Sequence, residues 1–458
     1  MLIEKDTFHF QSSYTGIWHR ANCPDEQISG TLYIEDQQIW VELFFNSDIS
    51  LSDTVESIIG CTSTIDSTGK NIAANIIANE LEFITRCNLK NGLRHYKYSV
   101  SNIFLYENNF KTENIHSLQV RAAILDKWAS EIIAQSFRTI DYTQIPQNHH
   151  LIHFVEPQIY TLYWGQEFNV HLNFVSSISF ADISRSIDVK SFIQVYFKSQ
   201  ISFHEALAKL NQILFLLYLL TNRIFSLDYI YSDSCNNEFV YKANEQQLSR
   251  YIEHYNNIEP FTALGDFSND EIKVVFQKWD TLYKEYNVAI DLFFEIHTNI
   301  YSSATSKIKN YISVIDSFSK NLLGEKGEID ETPKRAKFLL DIINKYNISK
   351  QESSQLKSQF LKTSGKELKT RFANLIEIVK KFLPSDLDSD FVTKVVNTRN
   401  NITHPKSNST PCYGPESYNK VASQLNKIII CYILLQLDVK DDIINKILKY
   451  SGIAAGLS

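Results

Sequence analysis

Through the first half of the chain apolar and polar residues alternate with the period of a strand. Gly30-Thr-Leu-Tyr-Ile-Glu-Asp-Gln-Gln-Ile-Trp-Val-Glu-Leu changes face at every residue around a polar turn at Asp36-Gln37, which predicts a hairpin without the favoured Asn-Gly or Asp-Gly turn. Residues 80–87 and 95–106 predict two more strands around Asn91-Gly92, within a strand-like stretch from Phe8 to about Leu125. A mixed connector follows Trp128, and alternation returns over 168–180 and 187–198. Ser202-Phe-His-Glu205 has the capping-box form, so a helix is expected from there to about Arg223, carrying the apolar run Ile213-Leu-Phe-Leu-Leu-Tyr-Leu-Leu220. A strand pair is expected over 225–241, turning at 234–237.

From Glu271 onward the period changes. Tyr311, Ile315, Phe318 and Leu322 recur at helical spacing, as do Phe372, Leu375, Ile376, Val379, Phe382 and Leu383, and then Tyr418, Val421, Leu425, Ile428, Tyr432 and Leu435. Several amphipathic helices with short links make a bundle. Between two of them 324–333 is a charged, turn-rich loop, and the loop-rich passage 259–266 marks the boundary between the two patterns. The expected architecture is therefore α+β and multidomain, with a β-rich domain over 1–265 and an all-α bundle over 266–458. A chain of 458 residues is long for one core, which agrees with that division.

Composition sharpens the picture at three points. The longest apolar run is far shorter than the ~20 residues of a membrane span, and Met1-Leu-Ile-Glu-Lys-Asp turns polar at once, so neither a span nor a cleavable signal is read. The six cysteines have no C-x-x-C spacing and no His at ligand distance, which suits reduced thiols and a cytoplasmic protein. The net charge of −7 is unevenly spread: 301–458 holds 24 Lys and Arg against 16 Asp and Glu, whereas 1–300 holds 21 against 36. The helical third is the basic part, and a polyanionic partner such as RNA would favour it.

Candidate chemistry concentrates in Phe391-Val-Thr-Lys-Val-Val-Asn-Thr-Arg-Asn-Asn-Ile-Thr-His-Pro405. Ser389 or Asp390 can cap a helix here, and Pro405 stops it. At about 100° per residue Phe391, Val392, Val395, Val396 and Ile402 share an apolar sector roughly 140° wide, with Arg399 in its middle and Asn400 and His404 at its edge. A guanidinium on an apolar face needs an ionised or strongly polar partner. One reading is an ion pair to Asp316 or Glu377 on a neighbouring helix, with His404 favoured at the helix end by the dipole. The other is phosphodiester chemistry on RNA. Imidazole can take a proton from a 2′-hydroxyl or give one to a 5′-oxygen, and the guanidinium fork matches phosphate oxygens as charge builds on them. Such a site needs no metal or other cofactor. Lys406, in the loop after His404, is the nearest cation that could meet a phosphate. Elsewhere, His149, His150 and His153 would bind metal only on a helix, without carboxylates in register, and Gly69-Lys70 lacks the rest of a phosphate-binding loop.

Arg399-Asn-Asn-Ile-Thr-His404, placed in a C-terminal helical segment and followed by a helix over 418–437, resembles the HEPN superfamily, specifically the HEPN domain of ApeA-like anti-phage defence proteins. That family's Arg-x4–6-His pattern, with a polar residue after the Arg, carries over onto Arg399, Asn400 and His404. Gly16-Ile-Trp18, Pro24-Asp25 and Gly30-Thr-Leu32 resemble the opening of the ApeA N-terminal domain. The resemblance implies a metal-independent endoribonuclease with His404 as acid/base, Arg399 holding the scissile phosphate and Asn400 orienting either. It implies a homodimer with two motifs facing across a shared cleft, and products ending in a 2′,3′-cyclic phosphate and a 5′-hydroxyl. Its biological setting would be abortive infection: the N-terminal domain responds to a phage component and the bundle cuts host RNA, with tRNA a candidate. The alternatives are a non-catalytic HEPN-like module that binds RNA or a partner protein, and the toxin of a toxin–antitoxin pair.

Overall fold

The computed structural model describes residues 12–35, 38–45, 54–65, 71–89, 93–106, 114–131, 159–180, 185–221, 227, 229–234, 237–243, 262–298, 302–320, 364–383, 387, 389–403 and 412–450. The chain separates into two compact units, Met1–Gln277 and Lys278–Ser458. The first is β-rich and the second helical, an α+β organisation.

Among the described residues the first unit holds twelve antiparallel strands: β1 (Ser13–Arg20), β2 (Ile28–Glu35), β3 (Gln38–Phe45), β4 (Thr54–Ile65), β5 (Asn71–Asn88), β6 (Arg94–Tyr106), β7 (Ile115–Arg121), β8 (Ile159–Trp164), β9 (Phe168–Phe180), β10 (Arg185–Ile201), β11 (Tyr229–Ser234) and β12 (Asn237–Ala243). Their order is β3-β2-β1-β4-β5-β6-β12-β11-β7-β10-β9-β8, and β3 also pairs with β6. That extra pairing closes the first six strands into a barrel. The strand β6 is shared: residues 94–99 pair with β3, residues 102–106 pair with β12, and β5 runs along its other side. So the barrel opens at β6 into a second run of six strands.

Alternation explains the barrel interior. Ile39, Val41, Leu43 and Phe45 of β3 point inward between outward Trp40, Glu42 and Phe44, and they meet Tyr96, Tyr98 and Val100 of β6. Trp18 is wholly buried among them, and glycines make the room. A Cβ on Gly60 would stand 2.5 Å from Trp18 Cε3, and one on Gly30 would stand 3.0 Å from Trp18 Cδ1.

The predicted hairpin forms as β2 and β3, with Glu35 opposite Gln38. The strands expected over 168–180 and 187–198 are β9 and β10, and the pair expected over 225–241 is β11 and β12. Pattern alone does not single out β1, β4, β7 or β8, the last of which falls in the stretch read as a mixed connector, or the short helix α1 (Ala123–Trp128). β5 also starts at Asn71, well before the predicted strand at 80, because Asn-Ile-Ala-Ala-Asn has weak strand preference and is held by pairing with β4, joined by β6 from Asn75. Helix α2 (Phe203–Thr221) packs on β7 and β10. Its capping box is present: Ser202 N–H donates to Glu205 Oε2 at 2.9 Å and Glu205 N–H donates to Ser202 Oγ at 3.3 Å.

The division between the units falls inside α3 (Asn269–Thr298), which kinks at Tyr286 (φ −126°, ψ 25°). The expected boundary at 265/266 lies just ahead of this helix. Among the described residues the rest of the second unit holds α4 (Ala304–Ser319), α5 (Ser364–Val379), α6 (Phe391–Thr403), α7 (Tyr418–Gln436) and α8 (Asp441–Tyr450). Helix α7 packs on α4, α5 and α8, and α6 lies against α4 and α5. Tyr311, Ile315 and Phe318, then Phe372, Leu375 and Val379, then Val421, Leu425, Ile428 and Tyr432, all occur in the core. No helix among the described residues is long and apolar enough to cross a membrane. The expectations placed on Asp36-Gln37, Gly69-Lys70, Asn91-Gly92, His149, His150, His153, Leu322, the 324–333 loop and Cys235 lie outside the described residues.

Candidate active site at the end of α6

Helix α6 is built as its sequence suggests at the start. The Asp390 carbonyl accepts the Lys394 N–H at 2.9 Å, and the Asp390 carboxylate pairs with Lys394 Nζ at 3.1 Å. Its buried arc differs from the expected one. Phe391, Val395, Val396 and Thr398 face the core, whereas Val392, Arg399 and Ile402 are half-buried. Arg399 therefore stands at the edge of the packed face and not at its centre. The physical reason is Thr398, 1% exposed, whose hydroxyl donates to the Lys394 carbonyl at 2.7 Å and so enters the core satisfied.

The same hydroxyl holds the far end of the following loop. Tyr413 N–H donates to Thr398 Oγ1 at 2.9 Å. The Tyr413 ring sits 6.3 Å from that of Phe391, with Lys394 Nζ 5.7 Å from its centroid. Tyr413 is thus pinned along the helix. Thr403 Oγ1 donates to the Arg399 carbonyl at 2.9 Å and satisfies one of the open acceptors of the last turn. Sequence reasoning missed both Thr398 and Tyr413. The available signal was a threonine beside the apolar stripe and an aromatic residue closing a proline-rich loop.

Of the predicted site residues, Arg399 and Asn400 stand together: Arg399 Nη1 donates to Asn400 Oδ1 at 3.2 Å. His404 and Lys406 lie outside the described residues. The ion-pair reading named Asp316 and Glu377 as partners for Arg399, and both are engaged elsewhere. Asp316 Oδ1 accepts from Arg371 Nη2, and Glu377 pairs with Lys380 Nζ at 3.3 Å. Among the described residues Arg399 makes no ion pair. Its guanidinium is oriented by a neutral amide, and no carboxylate among the described residues offsets it, which is the condition for accepting an anion.

Other titratable groups of this unit are shifted by burial. The His297 imidazole, stacked on Phe293 with centroids 5.4 Å apart, is lowered to about 4 by burial and by the charge of Lys307, against a hydrogen bond with Asn426. Burial lowers Lys307 and pushes Cys431 up to about 12, leaving that thiol inert. No group of three or more His, Cys, Asp or Glu among the described residues is placed to hold a metal ion.

No curated protein and no solved structure matches the chain. Residues 309–443, which run from α4 into α8 and include α6, match the family model for Apea-like HEPN. The second unit therefore carries an Apea-like HEPN domain.

Proposed function

We propose that the protein is an endoribonuclease whose site is Arg399, Asn400 and His404. The observation that carries the reading is Arg399: a half-buried guanidinium, oriented by Asn400 and without a carboxylate partner among the described residues, within an Apea-like HEPN domain. In the reaction His404 takes the proton of the 2′-hydroxyl, the 2′-oxygen attacks the adjacent phosphorus, and the 5′-oxygen leaves with a proton returned to it. Arg399 holds the non-bridging oxygens as negative charge grows on them. Asn400 fixes the plane of the guanidinium, and Lys406 is a further phosphate contact. Products end in a 2′,3′-cyclic phosphate and a 5′-hydroxyl.

The active form is a homodimer through the HEPN domain, with two motifs facing one cleft. The setting is anti-phage abortive infection in the cytoplasm, with the 1–265 domain sensing a phage component or restraining the nuclease, and host RNA, tRNA among it, as substrate. The deciding experiment incubates the purified chain with total RNA in excess chelator and sequences the new ends. Cyclic-phosphate ends that vanish in folded Arg399→Ala and His404→Ala proteins support the reading. Intact RNA, or equal cleavage by the variants, refutes it in favour of a module that binds without cutting.

A further inference from the structure

The tip of the β5–β6 hairpin carries a charge opposite to its surroundings. Residues 1–277 hold 19 Lys and Arg against 32 Asp and Glu, yet residues 83–97, FITRCNLKNGLRHYK, hold Arg86, Lys90, Arg94 and Lys97 and no carboxylate. The hairpin also outruns the barrel wall. β4 begins at Thr54, opposite Glu82, so among the described residues no strand flanks that side of β5 from Phe83 to Asn88. Apolar side chains lie open there: Phe83 is 39% exposed, Ile84 50%, Leu89 41% and Leu93 36%.

Two of the basic groups are already engaged by β3. Glu42 lies 3.8 Å from Lys97 Nζ and 3.3 Å from His95 Nε2, and Lys97 also sits over the Trp40 ring at 4.5 Å. Arg86 and Arg94 differ, because neither makes an ion pair among the described residues. The Arg86 guanidinium lies 5.6 Å from the centroid of Tyr96, which stacks with Tyr98. Phe83 packs edge-on against both rings, at 6.4 and 6.0 Å, so its exposed surface is held on a rigid aromatic base. Lys90 lies outside the described residues.

Two guanidiniums with no ion pair among the described residues, one of them over the same Tyr96 ring that braces an open phenyl, match single-stranded RNA, whose phosphates suit arginine and whose bases stack on aromatic faces. An acidic polypeptide would satisfy the charges but not the ring. We infer that the β5–β6 hairpin is an RNA-contact element, gripping an unpaired stretch of the RNA that the Apea-like HEPN domain cuts; this rests on the ribonuclease reading.

The test measures binding and not cleavage. A labelled 2′-O-methyl oligoribonucleotide of about 20 nucleotides lacks the attacking hydroxyl and survives with the parent full-length chain. Its affinity is followed by fluorescence anisotropy over a series of salt concentrations. Arg86→Gln with Arg94→Gln is expected to weaken binding about tenfold or more and to reduce the salt slope by about 1.4, since each phosphate left without its arginine lowers the slope by about 0.7. Phe83→Ala weakens binding by a similar factor with the slope unchanged. Lysine at both arginine positions keeps the charge and most of the affinity. Parental affinity and slope in the glutamine variant overturn the inference, as does a lysine variant as weak as the glutamine one. A loss seen equally with poly-aspartate also overturns it, because the partner would then be an acidic protein. Should the parent chain prove not to cut RNA while the hairpin variants still lose binding, the nuclease reading falls and the contact surface stands.

Discussion

Replacing Thr398 by valine asks whether the strap from Tyr413 to α6 sets the geometry of the site. The exchange keeps the volume of a fully packed side chain and removes one oxygen. That oxygen accepts the Tyr413 N–H at 2.9 Å and donates to the Lys394 carbonyl at 2.7 Å. The Lys394 carbonyl keeps its helical partner, so the one orphan is the Tyr413 amide. An unsatisfied buried donor costs about 1–3 kcal/mol, and Tyr413 is half-buried, so the loss falls near the lower end. The added methyl gives back less than about 1 kcal/mol. A net loss near 1 kcal/mol lowers the melting temperature of a unit this size by about 2–4 °C. Cleavage should fall much further, by roughly tenfold to a hundredfold, because Tyr413 loses its anchor on α6 and a displacement of about 1 Å is that costly to a positioned group. Thr398→Ser keeps the hydroxyl but leaves a methyl-sized gap, so it should lose about 1 kcal/mol of stability and still cleave like the parent. The assay pairs a thermal melt with initial rates of cyclic-phosphate formation. Cleavage within twofold of the parent, alongside the expected drop in melting temperature, would show that the strap serves stability alone.

Three further outcomes follow from particular side chains. Arg399→Lys keeps the charge but loses the fork, so cleavage should drop roughly a hundredfold while urea stability stays within about 0.5 kcal/mol, since no ion pair is broken. Gly60→Ala forces a methyl to 2.5 Å from the buried Trp18 ring and should lower the stability of the first unit by about 1–3 kcal/mol, read from the urea midpoint. His297 is lowered to about 4 in the fold, so below its ordinary value near 6.5 the unfolded chain takes the proton first. The stability tied to its neutral form is complete above about pH 6.5 and is lost as pH falls towards 4, by at most roughly 3 kcal/mol. His297→Gln should flatten that part of the urea midpoint against pH between 6.5 and 4.5; an unchanged profile contradicts it.

How much could be read in advance depended on whether the deciding interaction was local. The β2–β3 hairpin follows from alternation and turn composition, and the capping box at Ser202 and Glu205 from a four-residue spacing. The helical stripes ending in Tyr432 follow from period alone. Closure of the barrel is different: β6 pairs with β3 over one half and β12 over the other, a choice of register between segments far apart in the chain. The inward arc of α6 is misplaced by periodicity for a related reason. A helical wheel puts Thr398 just outside the apolar sector, about 20° from Phe391, and a hydrogen bond to its own helix and another to Tyr413 let its hydroxyl enter the core. Arg399 then moves to the rim, a position that no periodicity count assigns.

That rim position bears on the chemistry. A guanidinium sunk in the core without a counter-ion would carry a desolvation penalty of several kcal/mol, and one paired with a carboxylate would be stable but silent, its field cancelled before a phosphate arrived. A guanidinium fully in water would sample many rotamers and be screened. Arg399 avoids all three conditions: it is half-buried, one N–H meets the Asn400 carbonyl oxygen, and the carboxylates of Asp316 and Glu377 are held by Arg371 and Lys380. Asn400→Asp separates orientation from charge, since it keeps an acceptor at the same place and adds a negative one. Binding of 2′-O-methyl RNA should weaken and cleavage should fall at least as far as in Asn400→Ala, although the aspartate holds the guanidinium more firmly. An aspartate variant more active than the alanine one would mean that position alone matters at Arg399, and that the uncancelled charge does not.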